Sequence, residues 1–350
     1  MISKTVLILA IYFAHSVFGE SVTLSQGVVK GFQAKSRSSK DYHGFKGIPY
    51  GKFEKRFDIS KPAGNWSGVF DATLDYEGCL DIGLLGAPSG VEDCLKLDVY
   101  TPNHSASAKM PVLVWIYGGP LGFLNAGVAS ARGNQGLKDQ VLGLKWIQEN
   151  IENFGGNKDR VTIFGESAGA ISVALHVASP MAKGLFHSAI AQSGTAVQTF
   201  ISVYWGRGVD QAVKLAQANN CPTSNKEYMV ECLQHLDPKI LGKSSLKMDD
   251  FGFLADSGFT TPSIETYSDG ADDPNVYLAE NPLDVFKAGR NFETCPWSNW
   301  EPISGENFYE SKYFEIGDSL DVKKLPAEWK ELDEFWDSLK LKEMGGKWTS

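Results

Sequence analysis

Arg160–Ser179 reads RVTIFGESAGAISVALHVAS. Its first five residues, Arg160–Phe164, have the β-branched and aromatic composition of a buried strand. From Ala168 to Ser179 it reads as a small-residue helix. Gly165 and Gly169 stand two before and two after Ser167. A strand that turns sharply into a helix holds the serine at its apex in a strained conformation, and glycines at those positions remove side chains that would clash. The serine oxygen then stands clear of the backbone. The N–H of Ala168, in the first helical turn, points to where an oxyanion would form. A serine in a helix-capping turn is the other reading of five such residues, so the flanks have to decide.

Outward from this turn the α/β alternation continues. Pro111–Tyr117 (PVLVWIY) is a continuous apolar run ending in Gly118-Gly119, as a buried parallel strand would. In Asn134–Phe154, Leu137, Val141, Leu144, Ile147 and Ile151 recur at helical spacing, and Gly155-Gly156 stops the helix. Leu95–Thr101 (LKLDVYT) alternates as a strand, and Val22–Lys30 and Lys46–Tyr50 read as short strands between glycine turns. Gly208–Asn219 and Glu227–Leu236 read as helices, Leu254–Asn291 as loop-rich. Pro326–Met344 reads as a last amphipathic helix with Trp329, Leu332, Phe335, Trp336 and Leu339 on its core face. The fold class is α/β with a mostly parallel central sheet, and no linker divides the chain.

Composition agrees. The 350 residues are 43% hydrophobic and 12% aromatic, enough for a packed core. With 33 basic and 42 acidic residues the formal charge is −9, and no basic run is interleaved with aromatics, which argues against nucleic acid as a partner. There is no His-Glu-x-x-His, no Cys-x-x-Cys pair, no dinucleotide fingerprint and no P-loop, so no metal or cofactor is expected.

The N-terminus reads as a secretory signal over residues 1–19. Lys4 precedes the apolar run Thr5–Ala14, and small or slender residues at Val17 and Gly19 suit a signal peptidase. A membrane anchor is the competing reading, but the run is short for a span and His15 interrupts it. No later segment is a membrane span. A secreted location makes disulfides the natural reading of Cys79 with Cys94 and Cys221 with Cys232, 15 and 11 residues apart, with Cys295 left over. Five small buried hydrophobes is the alternative. Asn65-Trp66-Ser67 and Asn103-His104-Ser105 are glycosylation acceptors.

Val161–Ala170 (VTIFGESAGA) resembles the nucleophile segment of type-B carboxylesterases, the family of cholinesterases and many insect esterases. Other motifs follow in the family's order: Gly47-Ile48-Pro49-Tyr50, Trp66-Ser67-Gly68-Val69, Glu92-Asp93-Cys94-Leu95, Asn134–Gln140 (NQGLKDQ) and Gln192-Ser193-Gly194. The resemblance implies an α/β-hydrolase fold over residues 20–350 and a small-molecule ester as substrate. It makes Ser167 the nucleophile, Gly119 and Ala168 oxyanion donors, and Glu306, in Ser304-Gly305-Glu306-Asn307, the triad acid. It also implies the two cysteine pairs above and an Arg56–Glu92 ion pair.

Two departures qualify this. Tyr117-Gly118-Gly119 runs directly into Pro120-Leu121-Gly122-Phe123-Leu124, where the family has the rest of its glycine loop and a further strand. Pro120 falls where a third glycine would donate an N–H, and proline has none. The triad histidine lies far C-terminal to the acid in the family, and this chain has no His after His235. His43 and His104 read as loop residues, His176 and His187 as packing or surface residues. The expectation is therefore a carboxylic ester hydrolase fold lacking one central strand and its C-terminal part, with impaired activity. Two readings compete: an inactive esterase-like binding or adhesion protein, and a non-functional splice or gene-model fragment.

Overall fold

The computed structural model describes residues 20–80, 89–117, 122–197, 207–245, 262–269 and 273–287, and the backbone of 312–316 and 320–324. They belong to two compact units, Met1–Asn291 and Phe292–Ser350.

The first unit opens with β1 (Ser21–Thr23) and β2 (Val28–Lys30), an antiparallel pair. The single strand expected over 22–30 is thus a hairpin. Gly27 has φ +150°, and a Cβ there would stand 2.5 Å from the Trp66 indole nitrogen, so only glycine makes this turn beneath that ring. Next come β3 (Phe32–Lys35), β4 (Asp41–Pro49), the short pair β5 (Gly51–Lys52) and β6 (Lys61–Pro62), then β7 (Val69–Asp71) and β8 (Lys96–Thr101). One three-stranded sheet runs β3-β4-β8, antiparallel throughout.

A second sheet carries the serine turn. β9 (Met110–Ile116) lies parallel to β12 (Gly156–Glu166), which lies parallel to β13 (Ser188–Gln192). Between β9 and β12 come the hairpin β10 (Asn125–Val128) with β11 (Ala131–Arg132), and α1 (Gln135–Asn150). Helix α1 buries Leu137, Val141, Leu144 and Ile147 and passes into a 3-10 turn over Ile151–Phe154, as the periodicity predicts. Gly155 ends it in the left-handed region at φ 79°, with the Asn103 carbonyl oxygen 2.1 Å from where a Cβ would sit. Helix α2 (Ala168–Ala178) follows the serine. Val161, Ile163, Ile116, Leu144, Ile151, Phe154, Phe45 and Val173 form the main core on this side of the sheet.

Among the described residues, the other side of the same sheet is open. The register puts Leu113, Thr162 and Ser188 in one row and Trp115, Phe164 and Ile190 in the next. Leu113 is 68% exposed, Trp115 51% and Ile190 45%. Parallel sheets normally carry cover on both faces. The apolar run Pro111–Tyr117 therefore corrects the expectation of a fully buried strand: its residues alternate between a packed face and an uncovered one.

A second core joins α3 (Gly208–Ala218) and α4 (Lys226–His235) to β10 through Leu124, Leu215, Met229 and Leu233. Asn225 caps α4, its side chain accepting from the N–H groups of Glu227 and Tyr228. Short helices α5 (Pro238–Ser245) and α6 (Pro282–Lys287) complete the described part. In the second unit β14 (Lys312–Ile316) and β15 (Leu320–Lys324) form an antiparallel hairpin. The helix expected over 326–344 lies outside the described residues. Among them, no helix is long and apolar enough to cross a membrane.

Candidate active site

β12 delivers the chain to Ser167, and α2 takes it away. Ser167 sits at φ 54°, ψ −117°, a strained region for a non-glycine residue. Three features hold it there. Its N–H donates to the Gln192 carbonyl at 2.9 Å, tying the turn to the end of β13. A Cβ on Gly169 would stand 2.1 Å from the Ile116 carbonyl oxygen, and one on Gly165 2.6 Å from the Gly169 carbonyl carbon. A Cβ on Gly194 would meet the Ser167 carbonyl oxygen at 2.5 Å. Only glycines let β9, the turn and the segment after β13 approach this closely. Ser167 and Ala168 are both exposed, and Ala168 opens the helix, where N–H groups have no partner within the helix.

Behind the turn a buried polar chain braces α2 against α1. The Ser172 hydroxyl donates to the Ala168 carbonyl at 3.1 Å. His176 Nε2 meets Gln140 Oε1 at 2.8 Å, and its Nδ1 meets the Tyr277 hydroxyl at 2.9 Å. Burial pushes the His176 imidazole down to about 3, so it is neutral. Tyr277 N–H donates to Glu265, which also takes the Lys138 ammonium at 2.7 Å, with both side chains almost fully buried.

None of the five described histidines stands by the serine. His176 is nine residues along α2, about 13 Å by helical rise, with both ring nitrogens engaged. His187 accepts from Val161 N–H midway along β12, about 17 Å from the turn by strand rise. His235 contacts the Glu231 carbonyl on α4. His43 and His104 meet at Glu20. His43 was expected in a loop; it lies within β4, because β4 begins at Asp41 and pairs with both β3 and β8. Gly119, Pro120 and Glu306 lie outside the described residues, as does Cys295.

Other expected residues can be located. Cys79 is joined to Cys94 and Cys221 to Cys232. Arg56 donates to both oxygens of Glu92, at 2.5 and 2.9 Å, and to the carbonyls of Leu233 on α4 and of Leu236 just after it. Asn65 and Asn103 are exposed.

One cleft, which no motif signalled, runs along β8 and β9. It holds about 960 Å³ and is lined by every residue from Lys96 to Pro102 and every residue from Met110 to Tyr117. Successive strand residues point to opposite faces. A cavity touching all of them meets the strands edge-on, and β8 and β9 each pair on one side only among the described residues. Asp139 of α1 also lines the cleft, and burial raises its carboxyl to about 6.

The flanking glycines and the strand–turn–helix context make a sharp turn that presents the strained, exposed Ser167. The chain belongs to the carboxylesterase family, whose model matches residues 19–120 and 119–338. It is 31% identical to venom carboxylesterase-6 of Apis mellifera over 361 residues, covering 91% of this chain and 61% of that protein. It is 34% identical to a juvenile hormone esterase of Tribolium castaneum, over 77% of this chain and 52% of that one. With esterase E4 of Myzus persicae the identity is 38%, over 64% of this chain and 48% of that one. The chain thus spans about half to three-fifths of the length of these relatives. The two family matches overlap at residues 119–120. In the Apis alignment, 91% of 350 residues is about 319, so about 42 of the 361 aligned positions have no counterpart here.

Proposed function

We propose that this chain is a carboxylic ester hydrolase of the serine esterase type whose own turnover is impaired. The observation that carries the reading is Ser167, exposed and held at φ 54° between Gly165 and Gly169. In this mechanism Ser167 Oγ attacks an ester carbonyl and forms an acyl-enzyme, while Gly119 and Ala168 donate N–H groups to the oxyanion and Glu306 orients the base. A serine hydroxyl needs a base within hydrogen-bond reach, and no described histidine is near. Loss of the base costs on the order of 10⁶ in turnover, and loss of one oxyanion donor about 10²–10³.

The same reading holds that one strand is missing between Gly119 and Pro120. Supporting this are the edge-lined cleft and the two family matches that meet at residues 119–120. Export through a signal at residues 1–19 fits the two disulfides and the exposed Asn65 and Asn103.

The test is a chimera that inserts the Apis segment lacking a counterpart between Gly119 and Pro120 and appends that protein's C-terminal part. It should hydrolyse 4-nitrophenyl acetate in a Ser167-dependent manner. A soluble, folded chimera without such activity would contradict the assignment.

A further inference from the structure

We propose that Glu20, His43 and His104 form a binding site for a zinc-class divalent cation, a property independent of the ester chemistry above. The three residues come from three segments. Glu20 immediately precedes β1 and is fixed by its carbonyl, which accepts from Gly31 N–H at 2.8 Å. His43 lies in β4, paired across to Thr101 of β8. His104 follows three residues after Thr101, so the β4–β8 ladder returns it to the same corner. One carboxylate oxygen, Glu20 Oε2, stands 2.5 Å from His43 Nδ1 and 2.9 Å from His104 Nε2. All three donor atoms lie within 4.8 Å of one another.

The polar accounting at this corner points to a cation. Glu20 Oε2 and His43 Nδ1 are both closed to solvent, and neither makes a hydrogen bond of sound geometry. A carboxylate oxygen withdrawn from water needs a positive partner. Among the described residues, no lysine or arginine pairs with Glu20; its only ionic partners are the two imidazoles, which carry charge only when protonated. Two imidazoles and one carboxylate are the donor set of a three-ligand zinc site with a fourth position for water. Donors bonded at 2.0–2.1 Å around a tetrahedral ion stand about 3.3 Å apart. Glu20 Oε2 would move away from each of the two nitrogens by less than about 1 Å, and those nitrogens stand within 4.8 Å of each other. The imidazole rings stand edge to face at 88°, with centroids 4.7 Å apart, so two different nitrogens aim at the shared oxygen without stacking. The side chains of His104 and Glu20 remain 34% and 24% exposed, which leaves the ion a way in. Local spacing does not reveal the site because its ligands are 23 and 61 residues apart in the chain.

The test uses the full chain with both disulfides formed, titrated with Zn²⁺ in equilibrium dialysis and with Co²⁺ by visible absorption. Wild type should bind one ion per chain and show the intense bands of four-coordinate cobalt. His43→Gln and His104→Gln should each weaken binding at least about tenfold. The second substitution leaves the Asn103-x-Ser105 acceptor intact. Far-UV circular dichroism verifies that each variant is folded, and Glu20→Gln, which keeps the shape, serves as the third. One-to-one binding that survives in all three variants overturns the proposal. So does a wild type that binds neither Zn²⁺ nor Co²⁺.

Discussion

Leu113→Lys reads directly whether one face of the β9-β12-β13 sheet is bare. Fully burying a leucine is worth about 1.5–3 kcal/mol. Leu113 keeps 68% of its surface in water, so about a third of that is at stake, roughly 0.5–1 kcal/mol. The lysine stem recovers part of it along Thr162 while the ammonium stays solvated. The expected cost is therefore under about 1 kcal/mol. A lysine on this edge strand also opposes strand-to-strand association, so the soluble fraction should rise. The assays are the urea midpoint of the monomeric fraction and the fraction remaining in the supernatant after sedimentation. If the face is instead covered, the substitution removes a packed leucine and buries a charge, and the loss exceeds about 3 kcal/mol. A loss of that size, with no gain in solubility, refutes the open-face account.

Three further outcomes follow from particular contacts. Gly169→Ala puts a methyl 2.1 Å from the Ile116 carbonyl oxygen, a backbone atom that cannot yield without moving β9; denaturant unfolding should show a loss above about 3 kcal/mol or no folded protein. Asp139 has a folded-state pKa near 6 against an ordinary 3.8, so the native state binds the extra proton between these values and stability falls as pH rises through them. Asp139→Asn should stabilise by up to about 3 kcal/mol above pH 6 and change little below pH 4, a pH-resolved urea series being the check. Lys138→Met strands Glu265, which is fully buried; the melting curve should show a loss of about 3–5 kcal/mol, largely recovered when Glu265 is replaced by Met as well.

Local pattern made some of this molecule legible and left the rest unread. The helix through Leu137, Val141, Leu144 and Ile147 and the glycine-flanked Ser167 follow from spacing and steric demand, and both stand where expected. The cysteine pairs were legible because short loops close cheaply. Val22–Lys30 misled because an apolar strand pattern does not register that Trp66, from 39 residues further on, occupies the space beside Gly27. Pro111–Tyr117 misled for a different reason. Hydrophobicity on both sides of a strand says what could be buried, whereas burial depends on what packs there. The Lys138–Glu265 pair and the Glu20–His43–His104 corner join residues 127 and up to 84 positions apart, so only the folded chain brings them together.

The central claim is that Ser167 is poised in shape but unassisted in chemistry. It is tested most directly by the hydrolysis of 4-nitrophenyl acetate by the purified 350-residue chain beside its Ser167→Ala variant. The account predicts rates barely above background that differ little between the two. A large rate that disappears with Ser167→Ala would mean that a base reaches the serine, and the claim would be wrong.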